Sequence, residues 1–151
     1  MNHIKFKDDF DLGFSGEDVV FQKLKEILPY VAKTTYKFDK FDFRCNETKI
    51  DLELKTRRIA YKQYPTIFFS IKKLREGREK RLNGTSNRTI YLFQFKNGDI
   101  YFWEDVGEDT DYHVTMCGNY KNGEKSKPLV NLRMDCMKPL SEFKTFEKDT
   151  F

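Results

Sequence analysis

The chain is poor in the residues that build disulfide frameworks and histidine-rich metal centres. It has three cysteines, two histidines and one tryptophan in 151 residues. Cys45, Cys117 and Cys136 are an odd set without C-x-x-C spacing, so neither a disulfide scaffold nor a zinc site is expected. His3 and His113 alone supply little for histidine-based metal or acid–base chemistry. No apolar run approaches the roughly 18 residues that span a bilayer, and the stretch Met1 to Lys7 has no secretory hydrophobic segment. A cytoplasmic, reducing compartment and no membrane partner are the expectation. Repeats, low-complexity tracts and linkers are also lacking, which favours a single domain over residues 1–151.

What is abundant is aromatic and charged. Fifteen Phe and eight Tyr argue for a folded protein although 34% of the residues are charged. The net charge of +4 is unevenly spread. Between Lys55 and Arg81 ten cations face only Glu76 and Glu79, a local balance of +8 against −4 elsewhere. Such a block suits a polyanion. Asp99 to Asp111 carries six acids and no Lys or Arg, and reads as a solvated loop that nucleic acid would avoid.

The run Lys49-Ile50-Asp51-Leu52-Glu53-Leu54-Lys55 sorts itself as a strand. Ile50, Leu52 and Leu54 point one way, Asp51, Glu53 and Lys55 the other. Two carboxylates and an ammonium in a row over an apolar back can hold a hard cation with a water beside it. Residues 36 to 45 alternate aromatic and polar and read as the preceding strand, joined through a two-residue turn at Asn46-Glu47. In that hairpin Arg44 faces Lys49, Phe43 faces Ile50, Asp42 faces Asp51, and Glu53 lies diagonal to Asp42. Like charges about 5 Å apart at an effective dielectric near 20 repel by roughly 3 kcal/mol per pair, which a divalent cation converts into coordination.

A first helix is signalled by Ser15 as N-cap and Asp18 as its capping-box partner. Val20, Phe21, Leu24, Leu28 and Val31 follow as its stripe, and an end is expected near Pro29 to Ala32. Glu17 falls in the middle of that apolar stripe, where a lone carboxylate is costly unless paired or favoured by the helix dipole. Thr66 to Ser70 is a short strand; Ser70 caps a helix through Leu82, with Ile71, Leu74 and Leu82 as its thin apolar stripe and Asn83-Gly84 as its stop. Gly77 weakens that helix. Arg88 to Phe95 and Asp99 to Trp103 flank Asn97-Gly98 as a hairpin. Tyr112 to Met116 and Leu129 to Met134 are further strands, and the tail after Pro139 is expected to pack lightly or fray.

Glu17 on a helix, Asp42 on a strand and Glu53-Leu54-Lys55 on the next strand resemble the PD-(D/E)xK nuclease superfamily. Restriction enzymes, Holliday-junction resolvases and phage endonucleases belong to it. The likeness covers roughly residues 13 to 95 and implies an α/β fold with an αβββαβ restriction-endonuclease-like core, a mixed central sheet and a C-terminal β extension. It implies a Mg²⁺-dependent endonuclease acting on DNA, with Mn²⁺ able to substitute. Asp42 and Glu53 would be metal ligands with the carbonyl of Leu54, Lys55 would orient or help deprotonate the attacking water, and Glu17 would hold a second ion. Phe41 stands where the motif has proline, so Asp39 rivals Asp42. Asp51 is an extra acid, either a third ligand or drawn toward Lys49 and Arg44. Arg57, Arg58, Lys72, Lys73, Arg75 and Arg78 would meet backbone phosphates. Tyr61 and Tyr64 are candidates to stack on unpaired bases. The small size favours a structure-selective, junction-resolvase-like enzyme, which would imply a homodimer. The alternative is a non-catalytic nucleic-acid-binding module of the same fold.

Overall fold

Apolar residues alternating along successive strands leave a sheet with two greasy faces, and both are covered. The computed structural model describes residues 16–34, 40–117 and 127–144. In order, these form helix α1 (16–27), β1 (Ala32–Lys33), β2 (Phe43–Cys45), β3 (Ile50–Thr56), β4 (Thr66–Ser70) and α2 (Ile71–Leu82). There follow β5 (Arg88–Gln94), β6 (Ile100–Glu104), β7 (Tyr112–Cys117), β8 (Lys127–Arg133) and β9 (Lys138–Pro139). Among the described residues no helix is long and apolar enough to cross a membrane.

The architecture is mixed α/β. Six strands form a mixed sheet in the order β1-β2-β3-β5-β6-β9, in which β3 and β5 are parallel neighbours and the other pairs antiparallel. A second, antiparallel sheet has the order β4-β8-β7. β4 therefore leaves the central sheet, and the third strand expected there from Thr66–Ser70 is replaced by the short β1. The physical reason is its partner: all five residues of β4 pair with β8.

One face of the six-stranded sheet carries Phe43, Ile50, Leu52, Ile90 and Leu92 and packs under Val20 and Leu24 of α1 and Leu28 just after it. The opposite face carries Tyr91, Phe93 and Trp103 and packs against Leu74 of α2 and Ile67, Phe69, Val130 and Leu132 of the second sheet. Leu140 and Phe143 are buried in the α1-side cluster, so the tail docks through residue 144 instead of fraying.

Helix α2 begins as expected: the Ser70 hydroxyl accepts from the Lys72 N–H. It ends at Asn83, with Gly84 at φ +81°. Its packing differs from the expected stripe. Leu82 is 89% exposed, while Leu74 and Gly77 are buried. A Cβ on Gly77 would lie 2.9 Å from Thr89 Cγ2 and 3.1 Å from the Tyr91 hydroxyl, so the glycine lets the helix lie close on β5.

The hairpin register is also corrected. Cys45 pairs with Ile50, Arg44 with Asp51 and Phe43 with Leu52, a slide of two residues from the expected pairing. Residues 46–49 form a four-residue turn, with Lys49 at φ 56°. The Lys49 carbonyl accepts from the Asn87 N–H (2.8 Å) and the Ser86 hydroxyl (3.2 Å), so a segment beyond α2 sets the turn. A two-residue slide keeps each side chain on its face. Of the expected strand 36–45, only Phe43–Cys45 is extended and paired; 40–42 bends, and 35–39, including Asp39, lies outside the described residues, as does Ser15.

Candidate active site around Glu53

Strand alternation puts Asp51, Glu53 and Lys55 on the face shared with α2, next to Thr89, Tyr91 and Phe93 of parallel β5. Continuing the observed hairpin register by one residue brings Asp42 level with Glu53. The Asp42 carboxylate accepts from the Leu54 N–H at 2.8 Å, which holds the side chain against β3. Its carbonyl accepts in turn from Thr34 N–H at 3.0 Å.

Glu53 is the anomalous acid. It is 4% exposed, and burial, followed by the charge of Asp42, raises its pKa to about 7. Lys55 and Lys73 oppose that rise: the Lys55 ammonium lies 3.1 Å and that of Lys73 3.8 Å from Glu53 Oε2. Lys73 also lies 3.7 Å from Glu76 Oε2, donates to the Lys40 carbonyl and sits over the Phe41 ring. Glu76 Oε2 is buried without a hydrogen-bond partner. The Tyr91 hydroxyl donates to the Lys73 carbonyl at 2.7 Å, fixing this turn of α2 over the sheet.

Asp51 is differently occupied. Only 1% exposed, it takes two hydrogen bonds from Arg44 (2.9 and 3.0 Å) and an ion pair from Lys80 at 2.8 Å. Its oxygens are thus committed to structural partners, the arrangement that the corrected register produces by setting Arg44 opposite it.

Glu17 is carried by the other side of the sheet. Gly16 packs against the side chains of Gln94 and Thr56, which puts the start of α1 over the C-terminal ends of β5 and β3, but α1 covers the Leu52 face. Glu17 is half-buried and acts on Lys33, whose main partner is Asp18. Among the described residues no three His, Cys, Asp or Glu side chains gather closely enough to form a metal-binding group.

The expected phosphate contacts divide in two. Arg58, Lys72 and Arg75 are exposed. Arg57 is half-buried and donates to the carbonyls of Thr56 (3.1 Å) and Phe68 (2.8 Å), its pKa lowered by burial. Lys73 belongs to the Glu53 site. Arg78 is held by Asp105 through bonds of 2.9 and 3.0 Å, and Arg81 joins the same acid at 2.7 Å. Asp105 is therefore no part of a solvated loop. Glu104 likewise pairs with Arg88 (2.7 and 2.8 Å), and Asp111 accepts from the Trp103 indole at 2.8 Å.

The side chains missed from sequence are Lys73 as a neighbour of Glu53, and Glu76. Positions 73, 76, 77 and 80 share one face of a 3.6-residue helix, and a buried glycine within that stripe is the signal that this face turns inward. Comparisons with protein-family models, curated proteins and solved structures found no match.

Proposed function

We propose that the chain is a Mg²⁺-dependent endonuclease hydrolysing phosphodiester bonds in DNA, built on a PD-(D/E)xK-like core. The observation that carries this reading is the convergence of Asp42 and Glu53 from two adjoining segments of one hairpin, with the Lys55 ammonium 3.1 Å from Glu53. The order α1, β1, β2, β3, α2, β5, with β3 beside parallel β5, supports the same core, β4 being an addition to it.

Mg²⁺ is commonly held by one or two carboxylates together with waters and substrate phosphate. The oxygen donors at Asp42 and Glu53 fit that demand without a third acid, and the Leu54 carbonyl follows directly after Glu53 in sequence. When bound, the ion would polarise the scissile phosphate and acidify its water. The rest falls to the chain's own groups. Glu53 gives up its proton near neutral pH, Lys55 orients the attacking water, and Lys73 adds a second cation that draws the phosphate in. Arg58, Lys72 and Arg75 hold flanking phosphates. Asp51 is reserved for Arg44 and Lys80, and Glu17, carried by the helix on the opposite face of the sheet, is given no role.

A second reading, a non-catalytic DNA-binding module, is favoured by one observation: Lys55 and Lys73 together partly neutralise Glu53 without any metal. Cleavage separates the two. Supercoiled plasmid, linear duplex, single strand, a four-way junction and RNA are incubated with Mg²⁺ and with EDTA. Cleavage of DNA in Mg²⁺ only, lowered about 10²–10⁴-fold by Lys55→Ala and at least as much by Glu53→Ala, with DNA affinity in EDTA retained, is the expected result. Binding without cleavage by the wild type would leave the module, and cleavage retained by both variants would remove the site.

A further inference from the structure

Two residues beyond Lys55, at the end of β3, the chain turns along a cleft of about 390 Å³ lined by Arg57, Ile59, Tyr64, Pro65, Ile67 and Phe68. That volume falls within the roughly 300–1,000 Å³ of small-ligand clefts. Two of its aromatics are unusually open: Tyr64 is 53% and Phe68 51% exposed. Phe68 projects from the outer side of β4, between Ile67 and Phe69, which are buried. Tyr61, in contrast, is stacked on Tyr101 with centroids 3.8 Å apart and donates to the Met134 carbonyl, so it is internal packing.

We propose that this cleft receives an unpaired nucleobase, stacked on Phe68 and Tyr64, so that the preferred DNA of the neighbouring Glu53 site carries a single-stranded segment. The inference rests on the endonuclease reading and names its substrate class. Three observations select this occupant. The walls are apolar and aromatic, and every base has a face that stacks on such rings in a sequence-tolerant way. The cleft's charged member is a cation: the Arg57 guanidinium joins the end of β3 to the Phe68 carbonyl, and it is half-desolvated, so it complements a phosphate next to a stacked base. The cleft lies close along the chain to the site: Arg57 comes two residues after Lys55, just past the end of β3, a span of roughly 7 Å of extended backbone. A continuous duplex keeps its bases paired and offers no ring to the cleft.

The test measures affinity in EDTA, where cleavage is absent, by fluorescence anisotropy of a labelled oligo-dT strand and of a duplex of equal length. Tyr64→Ala, Phe68→Ala and Phe68→Trp are chosen because both positions are half exposed and their melting temperatures report folding directly. The alanine variants should bind the single strand about 5- to 100-fold more weakly while duplex affinity holds, and Phe68→Trp should restore single-strand binding. Equal loss on both DNA forms, or no loss on either, overturns the proposal. So does a shift of the wild type from dimer to monomer on Phe68→Ala with oligo-dT binding intact, which would give the face to a second copy of the chain. Failure of the nuclease reading is separate: cleavage by Glu53→Ala would remove the catalytic assignment while a base-stacking defect in Phe68→Ala remained.

Discussion

Asp105 and Glu53 are both carboxylates buried against the same helix, and they have opposite fates. Asp105 receives Arg78 and Arg81 together with the Gly107 N–H at 3.0 Å. Burial pushes its pKa up, but the bonds from the two arginines and that N–H outweigh burial and leave it below the ordinary value. Glu53 has two lysines, point charges at 3.1 and 3.8 Å without planar two-point geometry, and an acid, Asp42, on its other side. Its pKa rises to about 7. An acid that the fold uses is over-supplied with donors. One left under-supplied beside another acid is kept at a stability cost, as functional sites often are.

The comparison breaks most visibly at Asp105. Asp105→Ala leaves two guanidinium groups partly buried without their shared partner, and a loss of about 3–5 kcal/mol is expected in urea unfolding. A loss below about 1 kcal/mol would show that the clamp is ornamental. Glu53→Gln should act in the opposite direction, by a smaller amount and only at higher pH. With a folded pKa near 7 against an ordinary 4.5, the folded state holds more protons than the unfolded one between those values. The contribution of Glu53 to stability therefore falls as pH rises through that window and is lowest above 7. Glu53→Gln should be the more stable protein at pH 8, by up to about 3 kcal/mol, and close to wild type near pH 4.5. A difference constant with pH would mean that Glu53 titrates as an ordinary carboxylate.

How much of this could be read from residues alone depends on the range of the forces involved. The face of each side chain on β3 follows from a period of two, so Glu53 and Lys55 were legible, and so was the cap at Ser70. The hairpin register was not, because the Lys49 carbonyl is caught by Ser86 and Asn87 across the fold. Asp105 reads as part of an acidic loop because its partners lie 24 and 27 residues earlier, on α2. Glu17 keeps the right stripe on its helix, but only the packed sheet reveals that α1 lies on the face away from Glu53. Thr66–Ser70 reads in the sequence only as a short strand, and it is the fold that turns Ile67 and Phe69 inward and leaves Phe68 out. The exposure of Leu82 follows from Gly77, whose missing side chain brings a different face of α2 to the sheet.

The most direct measurement is a pH titration of the Glu53 side-chain carboxyl by carbon-detected NMR, run in EDTA and again in millimolar Mg²⁺, with Asp42→Asn as reference. A midpoint near 7 in EDTA that drops well below that value in Mg²⁺, and a smaller drop in Asp42→Asn, is the result expected of a pair poised to hold a divalent cation. A midpoint indifferent to Mg²⁺ would contradict it and leave Glu53 as a buried acid shared between two lysines.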